Sequence, residues 1–181
     1  QVPMEKSPAV LEDRAREFLR KLGRDARITD SGSGFSLDRD YLRRVAATDR
    51  SKDRGLGLRT GQPPVVRFWY RESPQDMVPV DDTDAVVSWG DPPVAISGMV
   101  GIRYDMLGRL LEFYAVPPQK EEPSTAPAPT PDWAPLFTEA GLDPARFRSV
   151  EPLWTPPFYC DSRTAWEGSY PDRPDITLRI E

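Results

Sequence analysis

The sequence predicts an α+β protein made of two small units, each a helix followed by an antiparallel sheet. Three observations support this prediction: an apolar stripe at helical spacing near the start, a hairpin pattern after residue 100, and a Pro-rich stretch followed by a second helix-then-strands pattern. We therefore expect one unit at residues 1–116, a linker at 117–131 and a smaller unit at 132–181.

The first helix is indicated by both its start signal and its apolar spacing. Ser7 can cap the first turn, and Pro8 suits the first helical position. One apolar stripe then follows at i, i+4, i+7 and i+11, formed by Leu11, Ala15, Phe18 and Leu22. Gly23 supplies the stop.

A loop is expected at residues 29–37, before a shorter helix at 38–47. Gly32-Ser33-Gly34 within this loop resembles part of a phosphate-binding loop, but a helix precedes it and no Lys follows nearby. We therefore predict a plain turn at these glycines.

The strands of the first unit follow from β-branched and aromatic runs. Residues 65–70 are the first such run, and residues 86–89 form a shorter one. Residues 94–104 are also strand-like, and residues 109–116 return as their partner after a turn at 105–108 that ends in Gly108. This hairpin is the clearest pairing in the chain.

The Pro-rich stretch separates the two units. Six of the fifteen residues from 117 to 131 are Pro, a composition that favours an extended spacer over a core. Beyond it, Trp133, Leu136, Phe137 and Ala140 predict a short helix. Three strands are expected after that helix, at 147–154, 164–170 and 176–180.

Composition excludes several classes of function. The chain has no His, so it lacks an imidazole base, a Ser-His or Cys-His pair and an imidazole metal ligand. Cys160 is the single cysteine, and we predict a small buried side chain there. The net charge of −5 argues against nucleic acid as a partner. No apolar run approaches the ~20 residues that cross a bilayer.

No residue pattern predicts a catalytic, cofactor or metal site. The acidic run at 81–84 lacks the spacing of a calcium loop, so we expect a solvated turn. Basic residues 14–27 alternate with carboxylates, as on an ordinary helix surface. Nothing brings Glu112, Asp161 and Glu167 together as an acid–base set.

Aromatic residues are the remaining candidates for a binding surface. Five rings crowd into seventeen residues of the second unit: Trp154, Phe158, Tyr159, Trp166 and Tyr170. Filling the core of a small unit explains them most simply. Rings left exposed would instead recognise a peptide, a glycan or a protein partner.

Both ends of the chain are expected to be boundaries within a longer protein. The first residue is Gln1, and Glu181 directly follows the strand-like residues 176–180. We therefore expect the second unit to be truncated at its C-terminal end.

Several stretches together resemble the region that follows the kinase domain in serine/threonine protein kinases of acidobacteria, beyond a transmembrane helix. They are residues 68–74, 108–113, 115–119, 132–137, 140–144 and 165–168. The resemblance implies an extracytoplasmic sensor or interaction domain of a membrane-anchored kinase, tethered to the membrane only through the parent protein. The kinase motifs themselves, including the His-Arg-Asp loop and Asp-Phe-Gly, are absent from this sequence, so ATP binding and transferase activity would belong to the parent.

A weaker similarity, in the order of helix and strands and in Ala165-Trp166-Glu167, is to PepSY-type modules. That similarity implies the alternative of a stand-alone periplasmic protein that binds or restrains a peptidase. Under either interpretation this fragment is not an enzyme; a carboxylate hydrolase is the third hypothesis. Self-association is a further expectation for the kinase sensor.

Overall fold

The computed structural model describes residues 5–24, 28–48, 61–81, 85–120, 130–156, 160–171 and 173–181. The chain is a mixed α+β protein with antiparallel sheets and few helices. It divides into two compact units, Gln1–Asp132 and Trp133–Glu181. Most of the expected linker lies outside the described residues, so its spacer role remains a prediction. In the described part of the chain, no helix is long and apolar enough to cross a membrane.

Within its described residues, the first unit has a four-stranded antiparallel sheet and two helices. Its elements are α1 (Pro8–Lys21), β1 (Asp30–Leu37), α2 (Arg39–Thr48), β2 (Val66–Ser73), β3 (Val100–Asp105) and β4 (Leu110–Ala115). The strands lie in the order β1-β2-β3-β4. The capping bond at Ser7, the second helix and the β3–β4 hairpin are confirmed, although strand β3 starts at Val100, later than expected.

Helix α1 covers one face of this sheet. Leu11, Ala15 and Phe18 of its apolar stripe are buried, and the ring of Phe18 meets Phe113 edge-on at 6.1 Å. Because side chains alternate along a strand, Phe68 and Tyr70 of β2 share this face, and both are buried. The core of the first unit therefore lies between α1 and the sheet.

A polar network lies at the same interface. Arg16 Nε donates to the Tyr70 hydroxyl at 3.0 Å, and that hydroxyl donates to Glu72 Oε1 at 2.7 Å. Ser33 Oγ donates to Glu12 Oε1 at 2.6 Å. Burial and the bond to Glu72 raise the pKa of Tyr70 to about 12. Since Tyr70 and Glu72 are both buried, these bonds hold helix α1 against the sheet.

The loop predicted at residues 29–37 is wrong, because Asp30–Leu37 forms strand β1. Gly34 pairs with Trp69 of β2, and a Cβ at Gly34 would lie 2.8 Å from Cζ2 of that ring. Glycine thus leaves room for the indole to lie against the backbone of the neighbouring strand. The turn predicted at Gly32-Ser33-Gly34 is wrong for the same reason: a distant tryptophan, not local turn chemistry, decides their conformation.

The far face of the sheet is covered by a long loop that follows β2. Arg71, whose exposed fraction is 1%, donates to the carbonyls of Ser88 at 2.6 Å and Pro92 at 2.7 Å. These bonds hold the loop in a non-strand conformation, so the strand expected at 86–89 is wrong. Trp89 then packs on Tyr114 with ring centroids 5.0 Å apart.

The part of the second unit that the structure describes has a three-stranded antiparallel sheet and one short α-helix. Its elements are α3 (Ala134–Glu139), a 3-10 turn (Pro144–Arg146), β5 (Arg148–Val150), β6 (Ala165–Tyr170) and β7 (Arg173–Ile180). The strands lie in the order β5-β6-β7. All three strands and the helix are in the expected regions, with β5 ending earlier and β7 starting earlier than predicted.

Candidate functional site

The five aromatic candidates have different positions. Trp166 and Tyr170 lie on β6 and are partly buried, whereas Trp154 follows β5 and is exposed. Phe158 and Tyr159 lie outside the described residues. The structure therefore does not bring the three described rings onto one exposed face.

Trp166 belongs to the core of the second unit. Its ring meets Trp133 at 5.6 Å and Phe137 at 5.5 Å, both edge-on. Phe137 in turn meets Phe147 at 5.5 Å. Aromatic pairs prefer such edge-to-face packing, and each pair adds about 0.5–1.5 kcal/mol beyond burial. Trp166 therefore packs within an aromatic cluster of the second unit, and these contacts favour core filling over recognition for this ring.

Trp154 and its neighbour Leu153 have the opposite character. Their exposed fractions are 59% and 75%, which is unusual for two large apolar residues adjacent in sequence. We call Leu153 and Trp154 the apolar tip. The crowding of rings in the sequence indicates Trp154 as a candidate but does not indicate Leu153, because an aliphatic residue next to a strand gives no signal of exposure.

The backbone of the apolar tip is held by a carboxylate. Both oxygens of Glu181 accept main-chain N–H bonds, from Leu153 at 3.0 Å and from Trp154 at 2.5 Å. The Trp154 carbonyl accepts from Arg163 Nη1 at 2.9 Å. The main chain that carries the two apolar side chains is thus fixed before a partner binds. This lowers the entropic cost of ordering the segment on binding.

Arg179 keeps this carboxylate in place. It donates to Glu181 and to the carbonyl of Glu151, so one guanidinium joins the strand to the segment that leads to the tip. The bond from Arg179, together with those from the two N–H groups, holds the pKa of Glu181 below its usual value of 4.5. The anchoring carboxylate is therefore ionised at neutral pH.

The first unit has a similar arrangement of a carboxylate and two main-chain N–H groups. Both oxygens of Asp91 accept main-chain N–H bonds, from Val80 at 2.8 Å and from Asp81 at 3.0 Å. The side chains of Val78 and Val80 are exposed on this loop. In each unit a carboxylate thus binds two consecutive N–H groups of a segment that displays apolar side chains.

The other chemical candidates are not assembled into a site. Glu112 pairs with Arg103 at 2.8 Å, and Glu167 pairs with Arg148 at 2.6 Å, so each is ion-paired within its own sheet. Asp161 is exposed. Of the acidic run at 81–84, Asp81 alone is described. Within the described ranges, no group of acidic or cysteine side chains could hold a metal ion.

The basic stretch of α1 and the single cysteine were also considered as candidates from the sequence. The basic stretch of α1 is an ordinary charged surface where it is described, with Lys21 bound to Glu17 at 2.8 Å and Arg16 bound to Glu12 at 3.3 Å. Cys160, in contrast, is exposed, so the prediction of a buried cysteine is wrong. It lies between β5 and β6, outside the ring cluster that forms the core.

Comparison of the chain with protein-family models, with curated proteins and with solved structures gave no match. The interpretation of the apolar tip therefore depends on its own geometry.

Proposed function

We propose that this chain is a non-catalytic interaction domain whose second unit recognises a partner through the apolar tip. One observation supports this proposal above all: the side chains of Leu153 and Trp154 are exposed while Glu181 fixes their main chain. Tryptophan is the residue most enriched among those that dominate binding energy, and a preorganised backbone strengthens such contacts. The partner chemistry that fits is an apolar pocket or groove on a protein or peptide; a glycan that stacks on the indole is the other candidate.

The parent protein we propose is a membrane-anchored serine/threonine kinase, with this domain on the extracytoplasmic side. The proposal is supported by the sequence resemblance. A ligand at the apolar tip, or self-association, would shift the spacing of the kinase domains across the membrane. The antiparallel α+β architecture is also compatible with the alternative, a stand-alone periplasmic PepSY-like protein that restrains a peptidase.

The gene sequence upstream of Gln1 separates these two proposals. A kinase domain followed by a transmembrane helix supports the sensor. A secretory signal peptide directly before this region supports the PepSY-like alternative. A soluble enzyme domain fused there without any membrane segment contradicts both.

The recognition role is tested by screening the labelled chain on peptide and glycan arrays. Partners should lose affinity in the variant Leu153→Ser/Trp154→Ser, by about 30-fold or more, because loss of a dominant contact costs at least about 2 kcal/mol. The matched control is Leu111→Ser, which removes an exposed leucine from the first unit. If every partner binds the double variant as well as the control, the apolar tip is not the recognition surface.

A further inference from the structure

Strand β1 is an outer strand of its sheet. In the described part of the chain it pairs with β2 and no other strand, and the pairing runs through all eight residues without a register shift. An outer strand presents main-chain N–H and C=O groups along its free side. Such a row is a template for another strand.

The other outer strands carry features that block strand addition. Strand β7 contains Pro174, Asp175 and Arg179, and its pairing shifts register next to Tyr170. Strand β4 contains Glu112 and faces a register irregularity, and β5 is three residues long. Charges, prolines, bulges and short length are the usual protections of sheet edges. From Ser31 to Leu37, strand β1 has no proline and no charged residue.

Exposed apolar side chains surround the β1 edge. Phe35 and Leu37 of the strand itself are exposed, with Leu37 at 54%. The loop that carries Val78 and Val80 lies beside the start of β1, because the N–H of Met77 donates to Asp30 Oδ2 at 2.8 Å. Soluble proteins seldom leave a free strand edge and apolar residues together without a partner.

We propose that β1 pairs with β1 of a second copy of this chain, antiparallel and about a two-fold axis. An identical strand suits this edge because residues 31–37 bring no like charges opposite one another. With Ser33 on the axis, Phe35 of each copy lies opposite Ser31 of the other, a small residue that leaves room for the ring. The two four-stranded sheets then become one continuous sheet. This interface lies in the first unit and does not involve the apolar tip.

Sedimentation equilibrium over a wide range of concentration tests the proposal. The average mass of the wild-type chain should rise from 20.4 kDa toward twice that value. The variant Ser31→Lys/Leu37→Lys should stay at the monomer mass, because lysines on a strand edge oppose pairing. The control Leu111→Lys places a lysine at an exposed position of β4 and should dimerise as wild type does. At a concentration where the wild-type chain is monomeric, it and the three variants, including Leu153→Ser/Trp154→Ser, should give matching far-ultraviolet circular dichroism and melting curves.

Hydrogen exchange gives a second readout that needs no variant. Amides of β1 should gain protection as wild-type concentration rises, while amides of β4 should not. A wild-type chain that stays monomeric at every concentration overturns the proposal, as does a double-lysine variant that dimerises normally. The Leu153→Ser/Trp154→Ser variant should dimerise as wild type does. The dimer proposal can therefore fail without affecting the proposed recognition surface, and the reverse is also true.

Discussion

Replacing Arg71 by methionine should release the loop that covers the far face of the first sheet. Methionine keeps most of the length of the side chain and removes the guanidinium that binds the Ser88 and Pro92 carbonyls. The Ser88 carbonyl can bind water instead, because Ser88 is exposed. The Pro92 carbonyl belongs to a buried residue, so its loss of a donor costs about 1–3 kcal/mol. We expect the free energy of unfolding of the first unit to fall by about 2 kcal/mol.

The control for this variant is Arg67→Met. Arg67 lies four residues before Arg71, on the same strand and the same face, and is bound to Asp38 with 31% of its side chain exposed. A pair this exposed contributes about 0–1 kcal/mol. The two variants thus make the same chemical change in buried and partly exposed surroundings.

Hydrogen exchange of the β3 amides is the assay, since it reports unfolding of the first unit without interference from the second. For Arg71→Met these amides should exchange about 30-fold faster than in wild type, the ratio that matches about 2 kcal/mol. The amides of residues 88–91 should lose still more protection. Equal exchange rates in Arg71→Met and Arg67→Met would refute the anchoring role of Arg71.

Two more predictions test close packing and the carboxylate anchor. Gly101→Ala should lower the free energy of unfolding of the first unit by about 1–3 kcal/mol, because its Cβ would lie 2.3 Å from Cζ of the packed Tyr114 ring. The control is Gly90→Ala, whose Cβ would meet no atom within 4 Å, and it should change this free energy by less than about 0.5 kcal/mol. Urea unfolding measures both values. The nuclear magnetic resonance signals of the Leu153 and Trp154 amides should shift as the pH falls through the pKa of Glu181. Because this pKa is lowered from 4.5, the anchor is intact above pH 4.5 and is lost as the pH falls through the lowered pKa. In Glu181→Gln this transition should be absent, and a midpoint above 4.5 in the wild-type chain would contradict the anchor.

Local sequence patterns determined most of the secondary structure. The apolar stripe of α1, with its Ser7 cap, and the β3–β4 hairpin follow from spacing over a few residues, and the structure has both. The mixed α+β class followed from the same patterns. The absence of His likewise excludes imidazole chemistry from composition alone.

Tertiary contacts decided the features that matter for recognition. Gly32 and Gly34 have the local character of a turn, but Trp69, more than thirty residues later, covers Gly34 and makes the segment a strand. Arg71 likewise binds the Ser88 carbonyl, and residues 86–89 form a loop in place of the expected strand. Such contacts join residues far apart in sequence, so no local pattern contains them.

The different exposure of Trp154 and Trp166 has the same cause. Both are tryptophans at or near strands of one small unit, and composition predicts a shared core for them. Trp166 meets the rings of Trp133 and Phe137, whereas the backbone of Trp154 is bound to Glu181, 27 residues away, and its side chain remains exposed. The sequence determined how many rings the unit has; long-range contacts decided which of them a partner can reach.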